Sequence, residues 1–186
     1  MLRKFFDFIL EVVKVVVVAL LIVIPIRYFL FQPFIVKGQS MEPNFENGDY
    51  LIVDEISYRF RDPQRGEVVV FKYPQNPSQR YIKRIIGLPG ETIEIKEGKV
   101  IIYQKDGKSF ILDESSYLPP WAETLGDLSV TLNENEYFVL GDNRLASYDS
   151  RRWGVLPKKD IIGRVFIRAW PFTSLTKFSI PKYQNF

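Results

Sequence analysis

The sequence predicts a mainly β protein, with one apolar N-terminal helix followed by a largely antiparallel β-domain. Three observations predict it. A largely apolar run from Val12 lies within the first 31 residues, seven or more short β-branched and aromatic segments follow between Gly and Pro turns, and no convincing amphipathic helix separates them. The 15 Phe and 10 Tyr suit strands and also suit contact with a bilayer interface.

Residues 1–31 are expected to form a single transmembrane anchor. Val12 to Phe31 is roughly 20 residues, the helical length that crosses a bilayer core of about 30 Å. Lys14 and Arg27 interrupt the run, and their long side chains can snorkel to the two interfaces. Asp7, Glu11 and Lys14 share one helical stripe, where they can pair. A cleavable leader would also begin basic and apolar, but the bulky Arg27-Tyr28-Phe29-Leu30-Phe31-Gln32-Pro33 offers no small-residue cleavage site, which favours a retained anchor. Arg3, Lys4 and Lys14 against Arg27 and Lys37 place the N-terminus inside.

Pro33 is expected to stop the helix. Phe34-Ile35-Val36 then reads as a short strand leading into a turn at Gly38–Ser40. Further strands are predicted over Tyr50–Val53, Glu67–Tyr73, Gln79–Gly87, Thr92–Ile95, Lys99–Tyr103, Lys108–Leu112, Glu136–Leu140 and Ile161–Trp170. Residues 113–135, with Pro119-Pro120, read as a loop or excursion. The net charge of +3 carries no basic block, so nucleic acid is not indicated as a partner.

Chemistry is narrowed by subtraction. There is no His and no Cys, which excludes Ser-His, Cys-His and His-ligated metal mechanisms. A nucleophile would have to be a hydroxyl whose base is Lys, Asp, Glu or Tyr. Ser40 lies in a Gly-containing turn, with Met41 and Phe45 as apolar neighbours. On the strand around Lys83, Tyr81 and Ile85 share its face, while Ile82, Arg84 and Ile86 share the other. If both faces are covered, at least one of the two cations is pushed into apolar surroundings, and burial can lower a lysine toward a useful base. A third stretch, Gly141 to Gly154, is dense in polar groups; Asp149 and Arg151 can pair there, and Ser147 or Ser150 can orient an amine. Each stretch alone also fits a plainer reading: a turn serine, a solvent-facing lysine, a hydrated loop.

Taken together and in order, these stretches resemble the bacterial type I signal peptidases, membrane-anchored Ser-Lys endopeptidases. The resemblance covers nearly the whole chain: Gln39-Ser40-Met41-Glu42-Pro43, Gly48–Val53, Arg65–Phe71, Tyr81–Glu91, and Gly141-Asp142-Asn143-Arg144 with Ser147, Asp149, Ser150, Arg151, Trp153 and Gly154. It implies a coiled β-domain over 32–186, outside the cytoplasm, with an excursion over about 97–135. It implies Ser40 as nucleophile, Lys83 as general base, Ser147 hydrogen-bonded to the lysine amine, Asp149 with Arg151 as a supporting ion pair, and the Ser40 N–H as one oxyanion donor. Phe34, Val36, Met41, Phe45, Leu51, Tyr81 and Ile82 match positions lining two shallow pockets for small residues, hence cleavage of A-x-A type. The implied partners are signal-peptide-bearing precursors and the lipid bilayer of a bacterial cell membrane, with no cofactor or metal, and the protein acting as a monomer. The sequence departs from the family at Gly38, where some relatives carry a serine as second oxyanion donor, and at Asn44, where a threonine is usual. A non-catalytic β-module binding signal-like peptides is the alternative.

Overall fold

A computed structural model describes residues 2–29, 31–181 and 183, the side chains of 2–4, 25–29 and 31 excepted. Helix α1, Leu2–Phe29, is followed by strands β1 (Phe31–Ile35), β2 (Tyr50–Asp54), β3 (Val68–Tyr73) and β4 (Asn76–Gly87). Then come β5 (Thr92–Lys96), β6 (Lys99–Tyr103), β7 (Ser109–Ile111), β8 (Leu128–Thr131) and β9 (Glu136–Leu140). A short helix α2 (Ser150–Trp153), β10 (Leu156–Pro157), β11 (Ile161–Trp170) and β12 (Thr176–Lys177) complete the order.

The strands form two antiparallel sheets. The larger runs β1-β2-β11-β3-β4-β9-β10, with β12 on β11, and the smaller runs β7-β6-β5-β8. Register shifts in β11 opposite both β2 and β3 mark irregularities that bend and twist a strand, so the large sheet coils rather than lying flat.

Alternation along β3 sorts the core. Val68 and Val70 face Val36, Met41, Phe45, Leu51 and Val53, whereas Val69, Phe71 and Tyr73 face Ile85, Tyr137, Val139 and Trp153. A third cluster fuses the sheets: Ile93, Ile95, Val100 and Ile102 of the smaller pack on Ile86, Phe138 and Leu140 of the larger.

Four sequence expectations change. The anchor expected over Val12–Phe31 lies largely within one helix, but among the described residues no helix is long and apolar enough to cross a membrane. Asp7, Glu11 and Lys14 break the described stretch, and the side chains of 25–29 and 31, with residue 30, fall outside the description. Pro33 does not stop the helix. It sits inside β1 opposite Ile52, a position open to proline because β1 is an edge strand that needs no second hydrogen-bonding neighbour. Within the stretch read as a loop or excursion, Leu128–Thr131 forms a strand paired with β5. The polar stretch after β9 holds the one-turn helix α2, capped by the Asp149 side chain accepting from the Arg151 N–H.

Ile102 is fully buried where the two sheets meet. Ile102→Ala should cost about 2–5 kcal/mol of unfolding free energy. Chemical denaturation should show that loss.

Candidate active site

Two strips far apart in sequence meet at one hydrogen bond. The Lys83 Nζ donates to Ser40 Oγ at 2.7 Å and to the Ile82 carbonyl at 2.8 Å. Ser40 stands in the turn between β1 and β2, stitched by Phe45 N–H to the Met41 carbonyl at 3.0 Å and Glu42 N–H to the Gln39 carbonyl at 3.2 Å. Lys83 stands mid-strand in β4, opposite Val69 of β3. Because both faces of β3–β4 are covered, Lys83 is only 4% exposed and Arg84 only 5%.

The two neighbouring cations meet burial in opposite ways. Arg84 keeps its charge: its Nε and Nη2 bind Asp142 at 2.8 and 2.6 Å, Nη1 binds the Gly66 carbonyl at 2.8 Å, and its guanidinium lies 4.1 Å from the Tyr117 ring centre. Lys83 makes no ion pair among the described residues. Burial pulls its pKa down from the usual lysine range to about 8, and the attraction of Asp149 and Asp142 only partly opposes this. About a tenth of the amine is therefore neutral at pH 7 and about half at pH 8, next to a serine hydroxyl.

Of the residues expected as supports, two are joined and one is not. Asp149 and Arg151 do pair, with Arg151 Nε to Oδ1 at 2.8 Å and Nη2 to Oδ2 at 2.9 Å, and Asp149 also accepts from the Gly141 N–H at 3.1 Å. The hydrogen bond expected from Ser147 to the lysine amine is not made. The buried Ser147 hydroxyl has no partner among the described residues, because the amine is directed at Ser40 and Ile82 instead. Ser147 lies against Gly141, where any Cβ would come within 2.2 Å of its Oγ and 2.4 Å of the Ser40 carbonyl oxygen.

Beside the pair opens a trough of about 430 Å³, whose lining includes Phe34, Val36, Leu51, Val70, Tyr81 and Ile82. Met41 and Phe45, expected in its lining, are fully buried in the core under the turn, so they back the trough rather than face it. The Ser40 N–H makes no hydrogen bond to a described residue and remains able to donate. Gly38 takes φ +91°, a left-handed conformation that disfavours any side chain. A side chain here would be opposed by the backbone conformation and not by crowding, since a Cβ would meet nothing within 4 Å.

Sequence reasoning missed the connection made by Asp142 and Asn44. The Asn44 amide donates to Asp142 Oδ2 at 2.9 Å and to the Tyr117 carbonyl at 2.7 Å, so one carboxylate holds both the Ser40 turn and, through Arg84, the strand of Lys83. Asn143 adds a second stitch, its backbone N–H to the Ser40 carbonyl at 3.1 Å. The only signal in the sequence was the polarity of Gly141–Arg144.

The chain is similar to known proteins over most of its length. Residues 9–170 match the family described as signal peptidase, peptidase S26. The chain is 42% identical to a probable signal peptidase I-2 of Synechocystis sp. over 167 residues, covering 87% of this chain and 73% of that protein. It is 38% identical to a signal peptidase I of Leptolyngbya laminosa over 180 residues, 92% and 85% of the two chains. The crystal structure of a signal peptidase I from Enterococcus faecalis V583 overlays with a TM-score of 0.45 at 34% identity, over 56% of this chain and 97% of that one.

Burying Lys83 should be visible in stability. A lysine whose folded pKa is about 8 against an unfolded value near 10.5 destabilises the fold by about 3 kcal/mol below pH 8. Between about pH 8 and 10.5 the unfolded chain binds the extra proton, so the penalty fades as pH rises through that range and vanishes above the unfolded value. Lys83→Met should therefore raise stability at pH 7 and lose that gain by about pH 10.5. Denaturant unfolding at the two pH values measures it.

Proposed function

The chain belongs to the signal peptidase family, peptidase S26, and from that premise we propose that it is a membrane-anchored serine endopeptidase that removes N-terminal signal peptides from exported precursors. Ser40 is the nucleophile and Lys83 the general base. The observation that carries this is the 2.7 Å contact between a serine hydroxyl and a buried lysine amine of lowered pKa.

In this mechanism neutral Lys83 takes the Ser40 hydroxyl proton as Oγ attacks the scissile carbonyl. The oxyanion is met by the Ser40 N–H. Collapse gives an acyl-enzyme, and the new N-terminus leaves with the proton from Lys83. Water activated by the same amine then frees the signal peptide. Ser147, Asp149 and Arg151 act as supports: the ion pair holds the Gly141 loop, and Ser147 is a positioning group beside it.

The substrate enters as an added strand. β1 is an edge, and β9 covers β4 only from Arg84 onward, so the edge of Arg80–Ile82 is open on that side among the described strands. Alternate side chains of an extended peptide then point into the trough, where Phe34, Val36, Leu51 and Ile82 leave room for small ones, as A-x-A cleavage requires.

Residues 1–31 anchor the chain in this reading, and 32–186 form the catalytic unit, a monomer on the extracytoplasmic face with the N-terminus in the cytoplasm. Support comes from α1, whose side chains from Phe5 to Ile24 are all exposed although mostly apolar, a surface suited to lipid. Trp170 and Phe172, 53% and 74% exposed, suit the bilayer interface.

Ser40→Ala and Lys83→Ala should each lower precursor cleavage by about a thousandfold or more while circular dichroism shows an intact fold. The wild-type kcat/KM should rise with pH through about 8 as the amine loses its proton. Near-normal cleavage by Lys83→Ala ends the assignment.

A further inference from the structure

A second hollow of about 480 Å³ borders the nucleophile turn, and the mechanism above does not use it. Its walls include Glu42, Pro43, Trp121, Leu125 and Leu145. Chain order relates it to the trough. Before the nucleophile, residues from Phe34 to Ser40 line the trough, and just after it Glu42 and Pro43 line the hollow. The facing loop divides the same way: Asn143, Arg144 and Leu145 line the hollow, while Ala146 and Tyr148 line the trough. The two segments are stitched where they change sides, by the Asn143 N–H to the Ser40 carbonyl and the Asn143 amide to the Gln39 carbonyl, each at 3.1 Å. Glu42 lies two residues beyond Ser40, within about 8 Å along the chain, the reach of two or three extended peptide residues. The trough and the hollow thus lie on either side of the seam that joins the two segments at Ser40.

Its surface is built to hold something apolar. Trp121, Leu145 and Leu125 are 75%, 70% and 54% exposed, a concentration of large apolar side chains that single scattered exposures do not explain. The wall carrying them is braced. Arg144 pairs with Glu114 at 2.5 Å and bonds Thr124, the Thr124 N–H reaches the Gly98 carbonyl at 2.9 Å, and Arg151 reaches the Leu125 carbonyl at 3.3 Å. The charge of the walls is also one-sided. Arg144 is taken by Glu114 and Asp142 by Arg84, whereas Glu42 and Glu123 form no ion pair with a described residue.

We propose that this hollow binds the precursor segment that follows the scissile bond, about the second to fourth residues after the cut. It accepts an apolar side chain against Trp121 and Leu145 and disfavours an acidic one beside Glu42 and Glu123. This rests on the peptidase reading, which supplies the bond and the direction of the substrate. The site gives the enzyme a grip on the part of the precursor that departs as the mature protein, separate from the grip on the signal peptide.

The test uses two labelled peptides, identical before the cut. One ends one residue after it, and the other continues for four more residues with leucine at the third. The full-length protein should cleave the long peptide with kcat/KM about tenfold higher, the gain from partly burying one large apolar side chain. Trp121→Ala/Leu145→Ala should erase that advantage and leave the short peptide unchanged. Glutamate in place of the leucine should lose more than the apolar contact alone, and Glu42→Gln/Glu123→Gln should recover the excess. Equal rates for both peptides in the wild type, or equal losses in the variant, overturn the proposal. Fluorescence anisotropy on the Ser40→Ala protein separates the two readings. If the wild type cuts neither peptide, the peptidase reading fails. Tighter binding of the long peptide that depends on Trp121 still upholds the hollow, and its absence overturns it.

Discussion

A lysine amine almost wholly withdrawn from solvent is the constraint around which the rest of this structure is arranged. Lys83 is 4% exposed, and its nitrogen touches only a serine hydroxyl and one carbonyl among the described hydrogen bonds. Desolvation would be undone by a carboxylate in direct contact, which would hold the lysine charged. Two carboxylates lie near enough to act on it, and both are engaged elsewhere: Asp149 by Arg151 and the Gly141 N–H, Asp142 by Arg84 and Asn44. Their attraction is felt, yet burial remains the larger influence. The site is poised by keeping its anions occupied.

Arg84 shows the same physics with the opposite outcome. Arginine does not lose its proton in a protein, so burying it requires that nearly every donor find a partner. Two bonds to Asp142, one to the Gly66 carbonyl and the Tyr117 ring beneath it meet that demand. One carboxylate then serves two purposes. Through Arg84 it fixes the strand next to Lys83, and through Asn44 it fixes the turn that presents Ser40. A rigid pair at hydrogen-bond distance needs both ends held, and Asp142 is the point where they are joined.

The turn is also held from below. Met41 and Phe45 are fully buried, Phe45 stacks on Phe178 with ring centres 4.4 Å apart, and Arg168 binds Asp49 at 2.8 Å and the Asn44 carbonyl at 3.3 Å. Chain from β11 and beyond it therefore buttresses the Ser40 turn from a sequence distance no local pattern reveals. The excursion does the same from the other side, with Tyr117 under Arg84 and Glu114 on Arg144.

Residue order alone was enough to give the class of structure, most strand positions, the absence of any histidine or thiol chemistry, and Ser40 with Lys83 as the pair to watch. These are legible because alternation, turn residues and composition are local properties of the chain. Ser147 without its expected bond, Met41 and Phe45 behind the trough instead of in it, Pro33 inside an edge strand, and the Asp142–Asn44 link were not legible. Each depends on which residues distant in sequence come within a few ångströms, and on which face is covered by what. Whether Lys83 is solvated or buried was the same kind of question. A strand pattern says only that Lys83 and Arg84 point opposite ways; the packing of both sheet faces decided that each is almost wholly buried, and that the one able to give up its proton lies against the serine.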